Sequence, residues 1–133
     1  MYVREAMSGD VFTVGPAHTL RVVAQMMSAR GIGAAAVIDE QQAGPGIITE
    51  RDILHSVGRG EVPDEERVSE HLTADVILAA PDWRLEQAAA EMIRGGFRHV
   101  IVVDGPAVVG ILSMRDIVRS WTAELVTAGA AVA

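Results

Sequence analysis

The amino-acid sequence contains one unit written twice, at a shift of about 65 positions. Chance similarity does not hold a register over this length. The chain must therefore form two similar units of about 60 residues, each too small to bury a comfortable core alone. Identical residues meet along almost the whole register: Val3 with Val68, Asp10-Val11 with Asp75-Val76, Pro16 with Pro81, Met27 with Met92, and, after a one-residue deletion, Arg51-Asp52-Ile53 with Arg115-Asp116-Ile117.

Each copy is predicted to form a strand, a helix, two strands and a second helix. In the first helix, Leu20, Val23 and Met27 follow the i, i+3, i+7 spacing of one apolar helix face. In the second copy, Asp82 is the predicted N-cap of the equivalent helix, and Gly95-Gly96 is the signal that ends it. The predicted ranges are strands 11–14 and 76–79, helices 19–29 and 83–94, strands 34–38 and 99–103, strands 46–48 and 108–112, and final helices that start at Thr49 and Ser113.

The composition is typical of a packed fold with an aliphatic core. Half of the 133 residues are hydrophobic, but only 4% are aromatic. Continuous Val and Ile runs favour strands that are covered by helices. We therefore expect an α/β (α+β) fold of two β-α-β-β-α repeats, residues 1–62 and 63–133, which share a core. The polar segment Gly58–Arg67 is the predicted linker and is too short to let the repeats drift far apart.

Charge and cysteine content exclude several classes of protein. The formal net charge is -7, so the basic surface that nucleic acids or anionic membranes require is missing. No apolar run approaches the roughly 20 residues of a membrane-spanning helix, and residues 1–10 lack the apolar core of a secretory signal. The absence of cysteine excludes disulfides and Cys-ligated zinc. These features favour the cytoplasm.

The histidines do not follow a metal-binding pattern. None of His18, His55, His71 and His99 pairs with another His or a Glu at the i, i+3 or i+4 spacing of a metal motif. We therefore expect no metal site, and we interpret His18 and His71 as surface residues. No nucleophile-elbow, kinase or hydrolase pattern occurs. The sequence does not predict an enzyme or a required cofactor.

The candidate ligand-binding motif is a hydroxyl residue followed three positions later by Asp. The first copy has Thr49 and Asp52, and the second has Ser113 and Asp116. A helix N-terminus at this point would present unpaired N–H groups that can hold an anion. The hydroxyl can donate to a phosphate, and the carboxylate can accept both hydroxyls of a ribose. The same spacing also defines a capping box, so ligand binding and helix capping both remain open.

The two copies resemble CBS domains, and the pair resembles the tandem arrangement called a Bateman module. The first copy contains "MSGDVFTVGPAHTL", "RGIGAAAVID" and "GIITERDIL", and the second contains "LTADVILAAPDWRL", "GGFRHVIVVDG" and "VVGILSMRDIV". The order and spacing of these fragments make the resemblance specific over nearly the whole chain. It implies a short stand-alone member whose repeats pack through their sheets around a pseudo-twofold axis and leave two clefts.

The resemblance also implies a ligand and its binding residues. In members that bind adenosine compounds, the Asp of the motif holds the ribose and the hydroxyl lies near phosphate. The implied regulatory ligand is AMP, ADP, ATP or S-adenosylmethionine. The residues implied by position are Thr49, Asp52, Ser113 and Asp116; Val11, Thr13, Val76 and Leu78 as lesser candidates for cleft walls; Arg98 and His99 at a strand start; and Arg51 and Arg115, which either form a solvated face or reach phosphate across a subunit interface.

The two copies differ in their supply of positive charge. Where the second copy has Arg98-His99, the first has Gly33-Ala34. We therefore expect the second copy to be the better candidate for a phosphate. The first copy remains plausible for a ribose and equally plausible as a simple helix cap.

Two functions are compatible with the resemblance. The chain is either a sensor that binds an adenosine ligand and signals to a partner protein, or a structural interaction module with empty clefts. Members of the family often dimerise through their helices, and a helix face with Trp121, Leu125 and Val126 could form such a homodimer. The apolar end, Val126–Ala133, is either a frayed tail or a minor packing segment.

Overall fold

The computed structural model describes residues 1–129 and confirms a mixed α/β architecture with two three-stranded sheets. The predicted order of strands and helices is present in both copies. The short helix at residues 3–6 is an addition that the sequence patterns do not predict. The last four residues of the predicted tail lie outside the described range. In chain order the elements are α1 (Val3–Ala6), β1 (Thr13–Val14), α2 (Leu20–Arg30), β2 (Ala34–Val37), β3 (Gly46–Thr49), α3 (Glu50–Gly58), a 3-10 turn (Val68–Glu70), β4 (Leu78–Ala79), α4 (Leu85–Gly95), β5 (His99–Asp104), β6 (Ala107–Ser113) and α5 (Met114–Gly129).

The two sheets share one topology. In the first, β1 runs parallel to β2, and β2 runs antiparallel to β3 with Ala35 opposite Ile48. In the second, β4 runs parallel to β5, and β5 runs antiparallel to β6 with Val100 opposite Leu112. These four side chains are buried, as the continuous apolar runs predict for strands covered by helices.

The chain divides into two compact units, and the bounds of these units differ from those of the two sequence repeats. One unit is Val11–Val76, and the other combines Met1–Asp10 with the residues from Ile77 onward. The segment that leads into each copy therefore belongs to the unit of the other copy. The boundary between residues 62 and 63 remains a prediction about the sequence repeat, because the compact units are divided after Asp10 and after Val76.

Residues 1–10 complete the unit that contains β4, β5 and β6. The Val3 N–H donates to the Trp83 carbonyl at 2.9 Å, and Ser8 forms a short antiparallel bridge with Ile111. The Val3 side chain has no solvent exposure and packs in the same core as Leu85. The first ten residues therefore belong to the unit of the second copy, and Val3 is part of its hydrophobic core.

The segment at residues 66–73 does the same for the unit that contains β1, β2 and β3. The Val68 N–H donates to the His18 carbonyl at 2.9 Å, and Thr73 forms an antiparallel bridge with Ile47. Val68 is fully buried in that unit's core. Val68 therefore has the same role in its unit as Val3 has in the other unit, and the two residues also align in the sequence repeat.

The ends of α4 test two sequence predictions. Gly96 adopts a left-handed conformation (φ 71°), and its N–H donates to the Met92 carbonyl, which confirms the predicted stop signal. The predicted N-cap at Asp82 is wrong, because Arg84 occupies the N-cap position. Residues 80–83 form a turn in which the Trp83 N–H donates to the Ala80 carbonyl, and this turn delays the start of the helix.

Gly110 lies where the exchanged segment crosses β6, and we expect Gly110→Ala to destabilise the protein. A Cβ at this position would lie 2.5 Å from Met7 Sδ and 3.0 Å from the Ser8 carbonyl oxygen. The sulfur can move, but the backbone oxygen cannot, so the expected loss in chemical denaturation is about 1–3 kcal/mol. The matched control is Gly9→Ala, which meets no atom within 4 Å. Equal unfolding free energies for the two variants would contradict this account.

Candidate functional site

The first hydroxyl-x-x-Asp motif forms the start of α3. Thr49 is the N-cap, and its N–H and its hydroxyl donate to Asp52 Oδ2 at 2.8 and 2.9 Å. The Asp52 N–H donates back to Thr49 Oγ1 at 3.3 Å. This arrangement is a complete capping box. The structural interpretation of the motif is therefore correct for the fold, whatever else the motif does.

The second motif forms the start of α5 with a different hydrogen-bond pattern. The Ser113 N–H donates to Asp116 Oδ2 at 2.8 Å, and the Asp116 N–H donates to Ser113 Oγ at 2.9 Å. Arg119, one turn further on, places Nη1 at 3.5 Å from Asp116 Oδ1. The i, i+3 spacing of Asp116 and Arg119 is a recognised helix pairing that could have indicated this ion pair from the sequence.

Helix capping leaves room for a ligand at the first motif. The cap uses only Oδ2 of Asp52, and within residues 1–129 Oδ1 accepts no hydrogen bond from the protein. Asp52 is half-buried, so a ribose hydroxyl could reach the remaining oxygen. Capping and ligand binding are therefore compatible functions of one carboxylate.

Each motif is tied to the strand start of its own copy. The Glu50 N–H donates to the Gly33 carbonyl at 2.9 Å, and the Met114 N–H donates to the Arg98 carbonyl at 2.8 Å. The Arg98 side chain is exposed. These bonds place the strand start beside the helix start, so the expected grouping of Arg98 with the second motif agrees with the local geometry.

The other predicted site residues are more scattered. His99 is half-buried and opens β5, where it lies opposite Ser113 in the register. Thr13 is exposed on β1. Their part in ligand binding stays a prediction, as does that of every residue proposed for the site. Val11 and Val76 are half-buried at the two ends of one unit, Leu78 is exposed on β4, and Arg51 and Arg115 are exposed in the first turns of α3 and α5.

A second polar cluster joins the predicted linker to α3. Its members are Ser56, Arg59, Glu61, Glu66 and His71. Glu61 Oε1 accepts from the Ser56 hydroxyl at 3.0 Å and from Arg59 at 2.9 Å. His71 Nε2 lies 2.8 Å from Glu66 Oε1, and the His71 side chain is only 7% exposed. The interpretation of His71 as a surface residue is therefore wrong, because its side chain is almost fully covered and contacts Glu66.

This cluster also brings possible metal ligands together. One ligand atom each from Glu61, Glu66 and His71 lies within 4.8 Å of the others. The sequence spacing did not reveal the group, because its members come from an irregular segment. The guanidinium of Arg59 already supplies a cation to Glu61 and lies 3.5 Å from His71 Nδ1. Hydrogen bonds from Arg59 and Ser56 therefore already use Glu61 Oε1.

The Glu61 carboxyl should give the fold a pH-dependent contribution. Partial desolvation raises the pKa of Glu61, but hydrogen bonds from Ser56 and Arg59, the Arg59 charge and a hydrogen bond with Glu66 outweigh it. The pKa of Glu61 therefore lies below its ordinary value of 4.5. A carboxyl with a lowered folded-state pKa stabilises the protein above its unfolded value, and this contribution is lost as the pH falls through the folded value.

We therefore expect Glu61→Gln to lower the melting temperature at pH 7 and to have a shrinking effect towards pH 3. The measurement is a series of thermal melts of both proteins across this range. The exposed Glu65, replaced in the same way, is the control for general charge effects. A gap between parent and Glu61→Gln that stays constant with pH would contradict the assignment.

In the part of the chain that the structure describes, no helix combines the length and apolar character needed to cross a membrane.

Comparison of this chain with known proteins identifies its family. The CBS domain family matches twice, at residues 3–59 and 68–122, and the chain belongs to this family. The protein MK0525 of Methanopyrus kandleri is 34% identical over 119 residues, which are 88% of this chain and 61% of that protein. MJ1225 of Methanocaldococcus jannaschii is 29% identical over 88% of this chain and 41% of its own length. The chain thus spans roughly half the length of these two relatives.

This chain matches two solved structures over nearly their whole length. A putative signal-transduction protein with CBS domains from Burkholderia ambifaria has a TM-score of 0.86 and 28% identity, over 92% of this chain and 95% of that one. The CBS domain pair of MJ0100, in complex with 5'-methylthioadenosine and S-adenosyl-L-methionine, has a TM-score of 0.83 and 26% identity, over 93% and 98%. The expected family and the tandem repeat are confirmed.

Proposed function

We propose that the chain is a regulatory module that binds an adenosine-type small molecule and signals to a partner protein. The candidate ligands are AMP, ADP, ATP and S-adenosylmethionine, held at the starts of α3 and α5. The observation that carries this proposal is the repeated hydroxyl-x-x-Asp helix start, where Asp52 has one carboxylate oxygen left over from its cap. The MJ0100 complex supports an adenosine ligand on a pair of this fold.

The proposal assigns the ligand a regulatory role. The hydroxyl and the carboxylate of each motif form the helix cap, so we assign no catalysis to them. Signalling requires that the ligand bind two states of the module with different affinities, a difference typically worth about 1–3 kcal/mol. The cytoplasm, where adenosine compounds are abundant, is the proposed location.

A second candidate function is that of an interaction module without a ligand. The observation in its favour is that both motifs are already satisfied as capping boxes. The exposed Leu125 and Val126 beside half-buried Trp121 on α5 would then form a homodimer face. In this case the Asp residues contribute only about 1 kcal/mol each to helix capping.

Thermal unfolding with added nucleotides separates the two candidates. A ligand at 100 times its dissociation constant should add about 2.7 kcal/mol to the unfolding free energy of the parent protein. Asp52→Ala and Asp116→Ala should each lose part of this gain in addition to the capping contribution. The matched control is Thr19→Ala, which removes the cap of α2, where Thr19 Oγ1 accepts from the Val22 N–H at 3.2 Å.

The control isolates capping from binding. Thr19→Ala should destabilise the protein by about 1 kcal/mol and keep the full ligand-induced gain. If none of AMP, ADP, ATP and S-adenosylmethionine raises the melting temperature of the parent, the sensor proposal for these ligands is wrong. If a ligand stabilises the parent and the Asp variants keep the full gain, as the Thr19 variant should, the ligand does not bind through Asp52 and Asp116.

A further inference from the structure

The two helix starts carry opposite local charge. Around the first motif the charged side chains are Glu50, Arg51 and Asp52, with the strand start at Gly33 contributing none. Around the second motif they are Arg98, Arg115, Asp116 and Arg119. With the histidines neutral, the first group is net negative and the second is net positive. His55 lies on α3, and His99 lies opposite Ser113 in the strand register.

We propose that Glu50 makes the first helix start select adenosine compounds without phosphate, whereas the second helix start selects phosphorylated ones. The proposal rests on the proposed function, because it assigns ligand classes to the same two motifs. Methylthioadenosine and S-adenosylmethionine represent the first class, and AMP represents the second. Glu50 is then a specificity-determining residue that touches the strand start rather than a capping residue.

Glu50 holds its carboxylate over the strand start. It is the first residue of α3, its N–H donates to the Gly33 carbonyl, and its side chain is exposed. A Cβ built on Gly33 would lie 3.1 Å from Glu50 Oε1. The carboxylate therefore covers the position from which Arg98 extends in the second copy. Met114 replaces Glu50 there and carries no charge.

The hydroxyl groups add to this difference. The Thr49 hydroxyl donates its proton to Asp52 Oδ2 at 2.9 Å, so it has no proton left for a phosphate oxygen. The Ser113 hydroxyl accepts from the Asp116 N–H at 2.9 Å. Within residues 1–129, no acceptor takes its proton, so it can donate to a phosphate. An anion at the first motif would meet a carboxylate, and at the second it would meet a hydroxyl donor beside three arginines.

The reciprocal exchange of Glu50 and Met114 tests the proposal. Calorimetric titration with AMP and with methylthioadenosine is first done on the parent, Asp52→Ala and Asp116→Ala. AMP binding should disappear in Asp116→Ala and persist in Asp52→Ala, and methylthioadenosine should behave in the opposite way. Glu50→Met should then strengthen AMP binding at the first motif about tenfold, and Met114→Glu should weaken it about tenfold at the second.

The controls separate local charge from net charge and from folding. Glu65→Met removes the same charge from an exposed position of the same unit and should leave both titrations unchanged. Melting curves show that each variant is folded at the titration temperature. If Asp52→Ala abolishes AMP binding, or Glu50→Met leaves AMP binding unchanged, the assignment of Glu50 is overturned while the proposed function stands. If the parent binds neither compound, the assignment of Glu50 is overturned, whereas the proposed function fails only if ADP, ATP and S-adenosylmethionine also leave the melting temperature unchanged.

Discussion

Val3→Asp is expected to be the most damaging single substitution in the first ten residues, with a loss of about 3–5 kcal/mol in the free energy of unfolding. Val3 has no solvent exposure and packs in the core that includes Leu85, Met92 and Leu112. A carboxylate placed there would be buried without a partner, and an uncompensated buried charge costs this much. Urea denaturation monitored by circular dichroism measures the loss.

The same substitution at an exposed valine is the control. Val62 lies in the segment between the copies and is 46% exposed, so Val62→Asp should change stability by about 0.5 kcal/mol or less. An equally small loss of stability in Val3→Asp would mean that Val3 does not pack in the core of the unit that contains β4, β5 and β6. The comparison of the two variants therefore tests whether residues 1–10 belong to that unit.

Leu85→Ala should cost about 2–5 kcal/mol. Leu85 is the first residue of α4, it has no solvent exposure, and its N–H donates to the Met1 carbonyl at 2.9 Å. Truncation leaves a cavity between α4, β5 and the leading segment, which cannot collapse because its backbone is held by that hydrogen bond. Thermal and chemical unfolding should agree on the loss.

An exposed position of the same helix provides the comparison. Ile93 is 76% exposed on α4, and Ile93→Ala should leave the unfolding free energy within about 0.5 kcal/mol of the parent value. Similar losses for Leu85→Ala and Ile93→Ala would mean that α4 does not pack with the face that contains Leu85. In that case the predicted apolar stripe would be wrong as well.

The sequence predicted the elements well, because local pattern and burial agree in this chain. Leu20, Val23 and Met27 are all buried, as the helical spacing of their apolar side chains predicts. The paired strands match the predicted ranges to within a residue or two. The error at Asp82 arose because a good capping residue sits inside a turn that the backbone closes two residues before the helix.

The exchange of segments could not be predicted from the repeat. Val3 and Val68 occupy equivalent positions in the repeat. The sequence alone therefore does not indicate which of the two cores each side chain packs in. The burial of His71 was missed for a related reason, since its partner Glu66 comes from an irregular segment with no periodicity. At the motifs, spacing identified Thr49 and Asp52, but only the structure showed that Asp52 keeps one oxygen free of its cap.

The leading segments have a consequence for any chain that carries one copy. Such a chain would present a sheet and two helices with an unfilled groove, and a leading segment suited to fill the groove of another copy. Two single-copy chains could close both cores only by trading these segments, which is domain swapping. Joining the copies end to end makes the trade intramolecular, so that it proceeds at a high effective concentration. The stability of the joined pair then no longer depends on how dilute the protein is.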